Sequence, residues 1–390
     1  KLASAKSLDV VTPNTDTIYS QAFLDLRDTA MVLVKHKVDR FVTVQLMDAY
    51  TNTVQVLGTG GDTQDERSYL LTGPDFRGEV PEDLVQVALP QNMAWMLVRT
   101  LCKGTDDLEN VHAIQNQFKL LPLGAYLSDE EYVPPQGSYS EKYDFVPVNH
   151  VLGMTPQEYF DTANQLMLDN PPTQTDDSIM DIMETIHVGP GKTFDAGILG
   201  EAGVAKWKNM IVNLEKNLVN LNQPFRVGLG QWKYLGRPIS EFGNEYAYRA
   251  LVSLGGLGAN PVDAAVYARG DTDELGDALS GSQSYNLHFE KDALPKTRDH
   301  GFWSITVYNA ANFLIDNPLS RYDINDRDTF VFNEDGSLDI IVQKDAPADA
   351  ALADNWLPVA EDDFHLYLRI YLPHEDVLNG SWSAPSIIRK

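Results

Sequence analysis

FVTVQLMDAYTNTVQV, residues 41–56, alternates apolar and polar side chains. Val42, Val44 and Leu46 share one face with Val54 and Val56, while Thr43, Gln45, Thr51 and Thr53 take the other. A period of two marks a strand with one face in a core. Upstream, Ile18, Ala22, Leu24 and Leu26 repeat the pattern, and the clusters Gly58-Thr-Gly-Gly61 and Thr72-Gly-Pro74 supply turns. One helix interrupts, from about Asp106 to Phe118, with Leu108, Val111, Gln115 and Phe118 at helical spacing. Residues 1–150 therefore read as an N-terminal β-sandwich.

From Thr155 the period changes. Thr155, Pro156 at the first helical position and Glu158 form a capping box that starts a helix. Helical patterns follow at about 176–186, 198–221 and 244–256, so residues 151–260 read as a helical linker domain. Alternation returns after Asn260-Pro261. Trp303, Ile305 and Val307 oppose Ser304, Thr306 and Tyr308, and Phe364, Leu366, Leu368 and Ile370 oppose His365, Tyr367, Arg369 and Tyr371. Phe330 to Ile341 reads as a hairpin turning at Asn333–Gly336. Residues 261–390 thus form a second, jelly-roll-like β-sandwich. The fold class is mixed and mainly β: two sandwiches joined by a helical region.

Several of these segments carry a resemblance. TPNTDTIYSQAFLDL (residues 12–26), QLMDAYTN (45–52) and GPDFRGEVP (73–81) resemble the bacterial family called domain of unknown function 1254, and VGPGKTFD (188–195) is similar to its later part. GFWSITVYN, NPLSRYDINDRD, NEDGSLDI, NWLP, LYLRIYLP and GSWSAP resemble that family's usual companion, domain of unknown function 1214. The resemblance implies two β-sandwiches joined by a helical region, in bacterial proteins commonly exported, hence a periplasmic or exported location. It implies no reaction and supplies no catalytic residue.

Composition narrows the partners. At 390 residues the length prior is two to three domains. With 30 Lys+Arg against 56 Asp+Glu the net charge is −26, which repels nucleic-acid phosphates and anionic lipid surfaces. The single cysteine, Cys102, excludes an intrachain disulfide and any cysteine-cluster metal site. No apolar run of about 18 residues is present, so no membrane insertion is expected. A leader ahead of Lys1 stays open.

Familiar motifs fail by a residue or two. Gly191-Lys192-Thr193 ends like a phosphate loop, but Ile186 stands where the first glycine belongs. Gly228-Leu-Gly230 has Lys233 in place of a third glycine, and Gly255-Gly256-Leu-Gly258 follows a helix instead of opening one. There is no G-x-S-x-G elbow, and Leu378 replaces the second histidine a His374-Glu375 zinc helix needs. Glu109 and His112 have di-iron spacing without a second pair. Asp323, Asn325, Asp326 and Asp328 offer oxygens for calcium but lack the EF-hand glycine and glutamate, and a solvated loop is the plainer account. No metal and no cofactor are expected.

The sharper signal is polar residues on an apolar face. Extending the alternation places Asp48, Tyr50 and Asn52 after Val42, Val44 and Leu46, and Asn14 and Asp16 head the apolar face of Ile18 and Ala22. Buried carboxylates must be paired, hydrogen-bonded or neutralised. Three outcomes stay open: a structural hydrogen-bond network, a bulge that returns Asp48 to solvent, or a polar pocket. In a pocket, Asp16 and Asp48 are the acid–base pair, and Asn14, Tyr50 and Asn52 bind substrate. That reading makes the protein a hydrolase or lyase for a neutral or cationic carbohydrate-like substrate. Tyr367 and Arg369, on the polar face that also holds His365 and Tyr371, form a second candidate surface, which the helical pair Tyr246 and Arg249 would join. The rival function is a non-catalytic binding or self-assembling protein, a homo-oligomer taking a small-molecule or glycan ligand.

Overall fold

The structure, a computed structural model, describes residues 2–7, 12–59 and 66–390. Gly60 and Gly61, half of one expected turn, lie outside the described residues.

Eight strands come first: β1 (Thr17–Asp25), β2 (Met31–Lys35), β3 (Val42–Met47), β4 (Thr53–Gly58), β5 (Arg67–Thr72), β6 (Leu84–Ala88), β7 (Met93–Leu101) and β8 (Lys119–Pro122). They form two four-stranded sheets, ordered β1-β7-β3-β4 and β6-β5-β2-β8. The apolar faces read from the alternation meet between them: Val42, Val44, Leu46 and Leu24 share one cluster with Leu33, Tyr69 and Leu71. The expected helix is α1 (Leu108–Gln115), and α2 (Leu123–Ser128) follows β8 directly.

The middle is helical: α3 (Pro147–Gly153), α4 (Pro156–Asp169), α5 (Asp177–Glu184), α6 (Gly200–Val212), α7 (Leu214–Leu221) and α8 (Tyr246–Gly255). The capping box forms as the sequence dictates, with Thr155 accepting from the Glu158 N–H and Glu158 accepting from the Thr155 N–H. The pattern over 198–221 is broken at Asn213, whose amide nitrogen donates to the Asn209 carbonyl and competes with the helix ladder. Two strands are unannounced by the helical reading, β9 (Arg226–Leu229) and β10 (Trp232–Leu235). Gly228 and Leu229 end β9, and Gly230, at φ +65°, turns the chain with Gln231 into β10.

The last third holds β11 (Ala265–Gly270), β12 (Tyr285–Phe289), β13 (Thr297–Asn309), β14 (Asp323–Asn325), β15 (Leu338–Gln343), β16 (Trp356–Pro358), β17 (Phe364–Pro373), α9 (Glu375–Leu378) and β18 (Ile387–Arg389). A six-stranded sheet β14-β13-β17-β11-β10-β9 and a four-stranded sheet β16-β15-β12-β18 contribute to one core cluster. Trp303, Ile305, Val307, Leu366, Leu368 and Ile370 lie in it, as their alternation predicts. The expected hairpin keeps its turn, with the Gly336 N–H on the Asn333 carbonyl, but only its second arm is a strand.

The architecture is mixed α/β, 30% strand and 26% helix, so "mainly β" overstates the strand share. Four sheets flank a helical middle region. The jelly-roll-like expectation departs at two sheet edges, where β5–β6 and β15–β16 are parallel in a pattern that should be antiparallel throughout. Among the described residues no helix is long and apolar enough to cross a membrane.

Candidate functional site

β3 and β4 form a hairpin, and the alternation that predicts them stops at Asp48. The Asp48 carboxylate accepts the backbone N–H groups of Tyr50 (2.9 Å) and Asn52 (2.8 Å) and the Asn52 side-chain amide (2.9 Å). Thr51 takes a left-handed conformation, φ +64°, and the ladder slips between Leu46 and Met47. Asp48, Tyr50 and Asn52 therefore occupy a loop, with the carboxylate folded over it, and do not continue a strand face. Burial pushes the Asp48 carboxyl above its ordinary value, against the pull of its donors and of Arg249.

This loop lines a cleft of about 330 Å³ together with Gln91, Asp176 and Arg249, and Glu241 and Thr175 also border it. Asp176 is held by the Thr173 N–H and hydroxyl, each at 3.0 Å, and by the Tyr246 hydroxyl at 3.0 Å. Tyr246 and Arg249, one turn apart on α8, place the guanidinium 5.7–5.9 Å from the ring centroids of Tyr246, Phe242 and Tyr50. Tyr50 is fixed in turn by donating its hydroxyl to the Asn170 carbonyl at 2.7 Å. Gln91 is fully buried, and its Oε1 has no hydrogen-bond partner. Sequence reasoning brought Asp48, Tyr50 and Asn52 together but missed Gln91 and Asp176, which carry no local signal. It paired Tyr246 with Arg249 and assigned them to the wrong surface.

Asp16 lies elsewhere. β1 and β3 both run antiparallel to β7, where Thr17 faces Leu101 and Met47 faces Trp95. Those two partners stand six residues apart on β7, roughly 20 Å at 3.3 Å each, and Asp16 and Asp48 lie beyond them at opposite ends. Glycosidic acid–base pairs work at roughly 5–9.5 Å, so Asp16 and Asp48 are not such a pair.

Asp16 instead joins the two β-units. Its carboxylate accepts from Arg327 (2.6 Å) and from the Ser304 hydroxyl (2.6 Å). Asn14 caps the Asp16 and Thr17 N–H groups through Oδ1 and donates to the Tyr371 hydroxyl at 2.5 Å. Arg369 donates to Thr306 (3.0 Å), to Tyr308 (2.8 Å) and to the Thr12 carbonyl (3.3 Å), and lies 5.3 Å from the centre of the Tyr367 ring. Below these polar contacts, Phe41 and Leu101 pack with Phe302, Tyr371 and Leu372. The chain's own N-terminal segment thus covers Arg369 and Tyr371 on that face, while Tyr367 stays half-buried.

The aspartates beside this seam are engaged by the chain's own donors. Asp323 accepts from the Asn325 amide, Asp328 from the Asn325 N–H, and Asp326 from Arg327. Among the described residues no three or more His, Cys, Asp or Glu are set to hold a metal. Burial raises Asp326 to about 6 against the pull of Arg327, and burial with the Asp16 charge raises Asp323 to about 6. A carboxyl whose folded pKa exceeds its unfolded value near 4 destabilises the fold above both values, and that cost fades as pH falls through 6 toward 4. The stability of Asp326→Asn relative to the wild type is therefore greatest near pH 7.5 and declines toward pH 4.5 in paired urea titrations. Taking the difference cancels His365, which burial and Arg269 push down to about 4. A difference that does not change with pH contradicts the assignment.

Family comparisons find one domain in each β-unit. Residues 1–122 match "Protein of unknown function (DUF1254)" and residues 264–375 match "Protein of unknown function (DUF1214)". No curated protein matches. Among solved structures, the VPA0106 protein from Vibrio parahaemolyticus is similar over 97% of this chain and 90% of its own, with 22% identity and a TM-score of 0.71, a likeness of fold. An uncharacterised protein from Burkholderia cenocepacia is 12% identical over 98% of this chain and 77% of its own, with a TM-score of 0.45.

Proposed function

We propose, from the premise that this chain carries a DUF1254 domain at its N-terminus and a DUF1214 domain at its C-terminus, that it binds a small polar molecule in the cleft beneath the 48–52 loop. The observation that carries this is Gln91, a fully buried side chain on the cleft wall whose carbonyl oxygen has no donor. A buried acceptor left bare costs about 1–3 kcal/mol, and a ligand N–H or O–H would remove that cost. The two β-units act as sandwich scaffolds that hold the loop, the 173–176 turn and α8 in register. The roles left to the residues are recognition roles. Asp48 shapes the loop, Tyr50 and Asn52 form one wall, and Arg249 supplies the positive charge. Hydrolysis by paired carboxylates has no support where the two lie at opposite ends of a span of about 20 Å.

The test is a thermal-shift panel of sugars, polyols, amino acids and small acids on the wild type and on Thr175→Trp. Thr175 is exposed at the cleft, so the indole fills the space without disturbing a core. A ligand at 100 times its Kd adds ~2.7 kcal/mol, and each kcal/mol moves the midpoint of a 150–250-residue domain by roughly 2–4 °C. A shift in the wild type that Thr175→Trp abolishes is the expected result. A panel with no shift, or a shift that survives Thr175→Trp, overturns the assignment.

A further inference from the structure

We infer that the ligand of this cleft is a small zwitterion of the amino-acid class, its carboxylate met by Arg249 and its ammonium by Gln91 Oε1 and Asp176. This rests on the binding reading above and adds the chemistry of the ligand. Arg249 is the one lysine or arginine lining the cleft, and among the described residues it forms no ion pair. Its guanidinium donates to the Gly243 carbonyl at 2.9 Å and distantly to Asn52 Oδ1 at 3.4 Å, while its buried Nε–H has no acceptor. Three aromatic rings around it offer cation–π attraction but no charge-assisted hydrogen bond. A half-buried guanidinium with unused donors is a natural fork for a carboxylate.

The remaining charges choose the rest of the ligand. Asp48, Asp176 and Glu241 outnumber Arg249 on the cleft wall. Asp48 is buried and spends its carboxylate on its own loop. Asp176 is half-buried, takes two donors on Oδ2 and only the Tyr246 hydroxyl on Oδ1, and so keeps a lone pair for a ligand donor, as does the donorless Gln91 Oε1. The surplus of carboxylates opposes a dianion such as phosphate and favours a ligand whose anion is matched by its own cation. A volume of about 330 Å³ lies at the lower end of ligand pockets and suits one small molecule better than an oligosaccharide.

Calorimetric titration of the full chain tests this. Each of the twenty amino acids is used alone, with the amide and the deaminated acid of any that binds, and glucose, glucuronate and inorganic phosphate complete the set. One or more amino acids should bind, with the amide and the deaminated acid each at least ~10-fold weaker. Arg249→Met should raise Kd on the order of 10- to 100-fold, the loss of a charge-assisted hydrogen-bonded contact. Should Arg249→Met fail to fold, Asp176→Asn carries the test, weakening the amino acid while leaving the deaminated acid unchanged. Glucose, glucuronate or phosphate binding in place of an amino acid, and lost in Thr175→Trp, overturns the zwitterion and leaves the binding reading standing. No binding by any probe overturns both.

Discussion

Asp16→Ala lowers the stability of the protein by about 3–5 kcal/mol at pH 7, read as a drop in the urea midpoint. Asp16 is 1% exposed, and its carboxylate is shared between Arg327 at 2.6 Å and the Ser304 hydroxyl at 2.6 Å. Removing it takes one of two carboxylate partners from a guanidinium that packs 4.9 Å from the centre of the Phe302 ring and keeps only Asp326, and it leaves a buried hydroxyl without its acceptor. Taking away one side of a buried pair costs more than the intact pair contributes. For that reason Asp16→Ala combined with Arg327→Met is expected to be less harmful than the sum of the two single changes. The two β-units meet through this contact, so a first unfolding step at lower urea is expected as they separate. A loss below about 1 kcal/mol, or strict additivity in the double variant, contradicts the pairing.

Gly281→Ala is the second large effect, at least about 3 kcal/mol, the top of the usual range for overpacking. A Cβ at Gly281 would sit 1.5 Å from the Ala360 carbonyl oxygen and 2.6 Å from its carbon. Both are backbone atoms, so no side chain can swing aside. The segment is held there by the Gly281 N–H on the Asp362 carbonyl, 3.1 Å, and by the Phe364 N–H on the Leu279 carbonyl, 3.1 Å. Relief requires pulling this pairing apart just where β17 begins. Gly276→Ala is the control: nothing lies within 4 Å of its Cβ, and only its φ of +88° opposes the change. Gly281 has no positive φ, so a loss no larger than that of Gly276→Ala would contradict the close backbone contact as the source of the cost.

How much of this was legible follows from what each signal measures. Alternation measures which side chains share a face, and Val42, Val44 and Leu46 do share a core. It does not measure what covers the other face. Thr43 and Gln45 are fully buried too, Gln45 because its amide bonds Thr53, Ser240 and the Ala259 carbonyl. The same blindness hid the cover over Arg369. At Asp48 the alternation was carried too far, since the loop that follows contains neither glycine nor proline and turns through the Asp48 side chain itself. The separation of Asp16 from Asp48 depends on β1 and β3 sharing β7 as a neighbour, a tertiary pairing that no local pattern encodes. Arg249 was visible on its helix as a partner of Tyr246, but the rings that complete its surroundings come from the Tyr50 loop and from Phe242.

The seam that joins the two β-units also sets a timetable for biosynthesis. Asn14 bonds Tyr371 across 357 residues, and Asp16 bonds Arg327 across 311. At about 5–20 residues per second, a ribosome needs roughly 20–70 s to travel from Asn14 to Tyr371. The DUF1254 sheets can assemble within that interval, but the segment 12–16 meets its first partners, Ser304 and Tyr308, only when β13 emerges, and its last only with β17. For most of translation a carboxylate, an amide and the neighbouring Phe41 stay uncovered on a nascent chain. That places the period of greatest exposure to proteases and to misassociation before release, and a stalled or truncated product that ends short of residue 369 never leaves it.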